Sequence, residues 1–261
     1  MTDLQWKLFC NFKKAYAEKI EEWTKAFPNL KELQKFAAEE GHTPAYPLET
    51  AIVYNKALDD ISQNDDIKLI VIGDNPGKEE QLLCNNRYLV GQAGRIAEGY
   101  FKRNPELDVD FRRNVIILNK TPVHSAKTAQ LRTMVRQGGE GVAALLNESQ
   151  AWCAKETARL HVRLCQAAQQ EAGLAPELWL VGYSELKKKG LFELYRDELK
   201  SFYKSSGFEA EWERVYVFQH FSMNRFTIDL SDYIKNKGCA SSCLEEDIHS
   251  LGKLHKEEIF G

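Results

Sequence analysis

The chain has 261 residues, 43% of them hydrophobic, with a formal net charge of −3 and a pI near 6.1. That length fits one large α/β domain, with or without an added subdomain, and the apolar fraction excludes wholesale disorder. The acidic balance excludes a uniformly basic nucleic-acid surface, although a local basic face stays open because phosphates respond to local potential.

From the start of the chain, Leu4, Leu8, Phe12, Tyr16, Ile20 and Trp23 recur at helical spacing with Lys and Glu between them, and Pro28 stops the run. This predicts an amphipathic helix. A second helix is expected from Asn29 to Glu40, closed by Gly41. The proline-marked stretch HTPAYPLET reads as a loop, and Thr50 as the cap of a short helix through AIVYNKALDDI. Four short apolar, β-branched runs follow: IKLIVIG ending at Gly73, NVIILN ending at Asn119, LWLVGY at 178–183 and RVYVFQH at 214–220. Continuous runs of this kind suit strands covered on both faces. Helical patterns in AGRIAEGYFKR, at 147–171 and at 191–205 separate them. Strand and helix in alternation predict a parallel sheet with helices on both faces. RQGGEGVA reads as a glycine-rich loop without P-loop spacing, LKKKG as a solvated basic turn, and the charged tail after Lys237 as a peripheral helix.

GxGxxG, HExxH and GxSxG are all absent. No apolar run approaches the ~20 residues that span a bilayer. The polar, amphipathic start MTDLQWKLFC is unlike a signal peptide, and the six scattered cysteines fit reduced thiols, so a cytoplasmic setting is expected. Cys239 and Cys243 lie four apart with no second pair to complete a zinc site, and no metal is expected.

In open parallel sheets, ligands bind beyond the carboxyl ends of the strands. Asp74 and Asn75 follow the first strand. Asn119, Lys120, Thr121 and Pro122 end the second, with His124 close behind; Gly182, Tyr183 and Ser184 end the third; His220, Ser222, Asn224 and Arg225 follow the fourth. Each has a plain reading. Asp-Asn-Pro-Gly is a turn sequence, Asn119 a turn or cap residue, His220 a structural histidine. Taken together, they are groups able to hydrogen-bond a planar polar ligand at three strand ends. An acid–base pair of His220 and Asp74 in an unrelated small-molecule enzyme is another reading.

These residues carry a resemblance. GDNPG followed by YLVGQAGR resembles the first motif of the uracil-DNA glycosylase superfamily. VIILNKTP resembles its second strand ending in asparagine, LWLVGYSEL its glycine-bearing third strand, and VFQHFSMN its closing H-P-S motif. Order and spacing match over about 67–225. YPLETAIVYNKAL and the Asn-Pro-Gly resemble the single-strand-selective monofunctional enzymes. VGQAGR resembles the thermophilic bacterial and archaeal ones, whose iron–sulfur cluster is not expected here because the cysteines lack its paired spacing.

The resemblance implies a three-layer α/β/α sandwich around a four-stranded parallel sheet over residues 65–261. Residues 1–64 would form a helical N-terminal extension packed on it, in a single domain overall. It implies a monomeric enzyme that hydrolyses the N-glycosidic bond of uracil or a related deaminated base in DNA after flipping the base, without cofactor, metal or membrane. It gives Asn75 the attacking water and Asp74 the neighbouring position. Asn119 reads the pyrimidine edge, with Gly73, Tyr88 and Leu89 around the base. His220 donates to uracil O2. Gly77, Lys120, Ser222, Met223, Asn224 and Arg225 contact the DNA, with Met223 or Phe226 as a wedge into the stack. Two positions depart from the pattern: Phe221 stands for the proline of H-P-S, and Leu89 where a stacking aromatic is expected. The alternative is a superfamily member that binds a nucleobase or nucleic acid without catalysis.

Overall fold

The computed structural model describes residues 1–205, 207–237 and 243–261. Cys239 of the Cys239/Cys243 pair therefore lies outside the described residues. Helix α1 (Asp3–Ala26) starts in a capping box, with Thr2 Oγ1 accepting from the Gln5 N–H at 3.2 Å and Gln5 Oε1 accepting from the Thr2 N–H at 3.0 Å. Its apolar stripe, from Phe9 to Trp23, is buried. Helix α2 (Leu30–Glu40) follows directly, and both pack on the long helix α5 (Gln130–Glu171).

After α2 the chain is extended rather than helical up to residue 55. Ile52 bridges Val123, the Val53 N–H donates to Pro122 O at 2.9 Å, and Gln81 Oε1 accepts from the amides of Glu49 and Thr50. The expected Thr50 cap has no helix to cap, because this segment spends its backbone groups on the loop beyond β2. Only the single turn α3 (Ala57–Asp60) forms.

The four strands are β1 (Leu69–Gly73), β2 (Val115–Asn119), β3 (Glu177–Val181) and β4 (Val215–Phe218), all parallel, in the order β2-β1-β3-β4. Strand alternation divides the core in two. Ile70, Ile72, Ile116, Leu118, Leu178, Leu180, Val215 and Val217 face α1, α5 and α7 (Glu193–Ser205). Leu69, Val71, Val115, Ile117, Trp179, Val181, Tyr216 and Phe218 face α4 (Gln92–Arg103), α9 (Arg225–Lys237) and α10 (Leu244–Phe260). The single turns α6 (Tyr183–Leu186) and α8 (Glu209–Trp212) complete the helices named here.

Two expectations are corrected at this level. RQGGEGVA is a kink rather than an open loop: two helical stretches of α5 meet at Gly139, whose backbone is not helical (φ 62°, ψ −154°), and Leu131 and Met134 before it and Val142, Leu145 and Leu146 after it are buried. The tail is not peripheral, since α10 packs on β4. Gly252 lies so close that a Cβ there would sit 2.6 Å from the Phe218 ring. No described helix is long and apolar enough to cross a membrane.

Candidate functional site

Strand β1 has β2 on one side and β3 on the other, so the chain leaves it in both directions and a crevice opens at its carboxyl end. A cleft of about 770 Å³ lies there. Asp74, Asn75, Asn119, His220, Leu89, Gly77 and Ser222 all line it, so residues from three strand ends and the loop before α4 meet on one space.

Asn75 is tied back by its amide, which donates from Nδ2 to Ser125 Oγ at 2.9 Å. No described residue donates to its Oδ1, which is left to accept a hydrogen bond from a ligand or water. Asn119 is buried, and its Nδ2 has no partner in the protein. Gly73 makes room for it: a Cβ there would sit 2.5 Å from Asn119 Oδ1. A side-chain amide held without partners is a donor–acceptor pair available to a ligand.

His220 is half-buried at the end of β4. Its Nδ1 accepts from the Ser222 N–H at 3.1 Å and lies 2.8 Å from Ser222 Oγ, so the ring proton resides on Nε2. Burial lowers its pKa below the ordinary histidine value; Asp74 opposes this and Lys120 adds to it. The result is a neutral imidazole with an N–H to give. Phe221, in the place of the proline, is fully buried against Phe111 and Phe226 and anchors the turn after His220 by packing. Met223 and Asn224 follow in left-handed conformations (φ 54° and 56°), and Met223, Asn224 and Arg225 are exposed beyond the cleft. Phe226 is a core residue and cannot act as a wedge.

Leu89 is buried with φ 51°, and its carbonyl accepts from Arg112 Nη2 at 2.9 Å. Helix α4 comes so near that a Cβ on Gly94 would lie 1.4 Å from that carbonyl oxygen, which explains the glycine of QAGR.

Two site expectations are overturned. Tyr88 does not reach the cleft: it is wholly buried, with its hydroxyl on Val53 O and Tyr16 OH, both at 2.6 Å, because its neighbour Leu89 takes the cleft-facing position. Lys120 is not a DNA contact. It is fully buried, its Nζ 2.6 Å from Asp74 Oδ1. His124 packs behind the Pro76 turn, bonded to Pro76 O and Tyr46 OH at 2.9 Å each, and burial lowers its pKa to about 4. Lys102 and Arg112 both pair with Glu98, and Arg113 with Asp65, so these cations are surface ion pairs.

Glu80 was hidden in the charged run KEEQ. It is buried in the cleft wall, accepts from the Gly77 N–H at 3.1 Å, and burial pushes its pKa up to about 7. Among the described residues, no group of three or more His, Cys, Asp or Glu side chains could hold a metal ion. Comparison with protein-family models, curated proteins and solved structures finds no match for this chain.

Proposed function

We propose that this protein is a uracil-DNA glycosylase-like base-excision enzyme, hydrolysing the N-glycosidic bond of uracil or a related deaminated base in DNA. The observation that carries this reading is the meeting of Asn75, Asn119 and His220 in one cleft, with the Asn119 amide buried and unpartnered. Leaving such a donor unsatisfied costs about 1–3 kcal/mol, a cost removed by a ligand that presents an acceptor. Uracil offers O4 as acceptor beside N3–H as donor, and one carboxamide matches both. Cytosine reverses the pattern, so the same site rejects it.

The chemistry follows from the remaining groups. A base inside the duplex is out of reach and must be extruded. Exposed Met223, one residue from the cleft-lining Ser222, is the apolar group available to fill the space it leaves. As the base departs it carries negative charge, and the neutral His220 Nε2–H stabilises that charge without itself adding a positive charge. Asn75, pinned through Nδ2, offers Oδ1 to the attacking water.

One observation favours a second reading, a nucleobase-binding protein without catalysis. Leu89 supplies an aliphatic wall, which forgoes the ~1–3 kcal/mol of an aromatic stack. The test is incubation with a uracil-containing oligonucleotide followed by alkaline cleavage of abasic sites. Wild type is expected to cut at uracil and not at cytosine, and His220→Ala to lower the single-turnover rate by about 10²–10³. No cleavage at large enzyme excess, with wild type and His220→Ala binding DNA equally, would leave the binding reading.

A further inference from the structure

The residue after Asn119 has no part in the scheme above and does not line the cleft, yet it is bonded to Asp74, which does. Lys120 is fully buried, and its ammonium donates to Asp74 Oδ1 at 2.6 Å, to Val181 O at 2.5 Å and to Gly73 O at 3.4 Å. It thereby ties the ends of β1 and β3 to β2. Its main-chain N–H adds bonds to Gly73 O (3.0 Å) and Asp74 O (3.1 Å). On the far side of the carboxylate, Gly182 adopts φ +97°, and a Cβ there would lie 2.3 Å from Asp74 Oδ1 and 3.0 Å from Oδ2. A strand-end turn needs none of this, because an ordinary turn aspartate is solvated. Asp74 lines the cleft, and no described residue donates to its Oδ2.

We propose that Lys120 is a positioning residue for base excision, holding the Asp74 carboxylate with one oxygen turned into the cleft, where the sugar carbon becomes cationic as the base leaves. This rests on the reading of the cleft as a base-excision site. In the step, the water oxygen bonds to C1′ while the C1′–N1 bond breaks, its electron pair leaving on uracil N1. The proton shed by the water passes to Asp74 Oδ2 and on to solvent, and solvent protonates the uracil anion. A lone carboxylate here would repel the DNA backbone. Paired with Lys120 it has no net charge at the range of the phosphates, yet its negative end is nearest the reacting carbon. The other charged or titratable groups felt by this pair are His220 and Glu185.

The experiment is a double-mutant cycle on single-turnover excision from a uracil oligonucleotide, using Lys120→Met, Asp74→Asn and the double variant. Half-saturating enzyme concentration is measured alongside. Each single substitution is expected to slow the step by about 100-fold with binding changed by less than about threefold, and the double to be no worse than either, since both remove one unit. A purely structural lysine would instead shift binding and rate together or lower only the melting temperature. Should Lys120→Met fail to fold, Asp74→Asn and the double variant (which leaves no unpaired charge) carry the test: the double is expected to be no slower than Asp74→Asn alone, and a further large loss overturns the proposal. Additive losses, or a folded Lys120→Met at wild-type rate, overturn the proposal while leaving the excision reading standing. Wild type inactive on uracil overturns both.

Discussion

Asn119 sits where stability and function pull apart. Its Nδ2 is buried without a partner, so the free protein bears the cost of a donor that a bound base would satisfy. Asn119→Leu removes that donor while roughly conserving volume. The expected outcome is a melting temperature equal to or a few degrees above wild type, with uracil excision abolished; a clear loss of stability would mean that the amide already has a structural partner. Asn75, Asn119 and His220 were legible in the sequence because each ends or closely follows an apolar strand. Lys120 was misread for a reason the sequence contains. Side chains alternate across a strand, so Lys120 must point away from Asn119, to the face of Ile116 and Leu118. Since Gly73 pairs with Asn119, the next residues, Asp74 and Lys120, fall side by side on that face. Tyr88 gave no such signal, because its burial depends on partners distant in sequence, Val53 and Tyr16, and Glu80 gave none because it folds back onto the Gly77 amide within a run that otherwise reads as solvated charge.

At the scale of elements, α4 carries the clearest sign reversal. Glycine inside a helix ordinarily costs about 0.5–1 kcal/mol relative to alanine. At Gly99 a Cβ would meet only the end of the Arg103 side chain, at 3.1 Å, which can move aside. Gly99→Ala is therefore expected to stabilise the protein by about 0.5–1 kcal/mol in urea unfolding. At Gly94 the Cβ would overlap the Leu89 backbone, which has no rotamer to yield. Gly94→Ala is expected to destabilise by about 2 kcal/mol or more and to cost excision activity by pushing the Leu89 wall outward. Equal effects of the two substitutions would remove the proposed role of the close approach. The elements themselves were read from apolar runs, and the four strands were legible for that reason. The failures came where backbone partners decide. Residues near Thr50 look helical in pattern but are extended against the loop after β2, and the glycines before Gly141 look like an open loop but make a kink at Gly139 between two packed helical stretches.

For the whole molecule, the question is how a chain with a net charge of −3 would hold DNA. Many of its surface cations are already paired: Lys102 and Arg112 with Glu98, Arg95 with Glu79, Arg113 with Asp65. Lys78 and Lys127 line the cleft, and Arg225 stands exposed beside the Met223–Asn224 turn. On the proposed reading these three are the cations nearest a flipped nucleotide, beside the acidic Asp74, Glu79 and Glu80 of the same cleft. Each phosphate neutralised contributes a slope of about −0.9 to the plot of log affinity against log salt, so three such contacts give a slope of about −3. Arg225→Ala is expected to weaken binding to uracil-containing and undamaged oligonucleotides alike and to make the slope shallower by about one, since a phosphate contact carries no sequence information. Affinity measured by fluorescence anisotropy at several salt concentrations reads both quantities at once. An unchanged slope would put Arg225 off the DNA path, and a loss confined to the uracil oligonucleotide would put it in the base pocket instead.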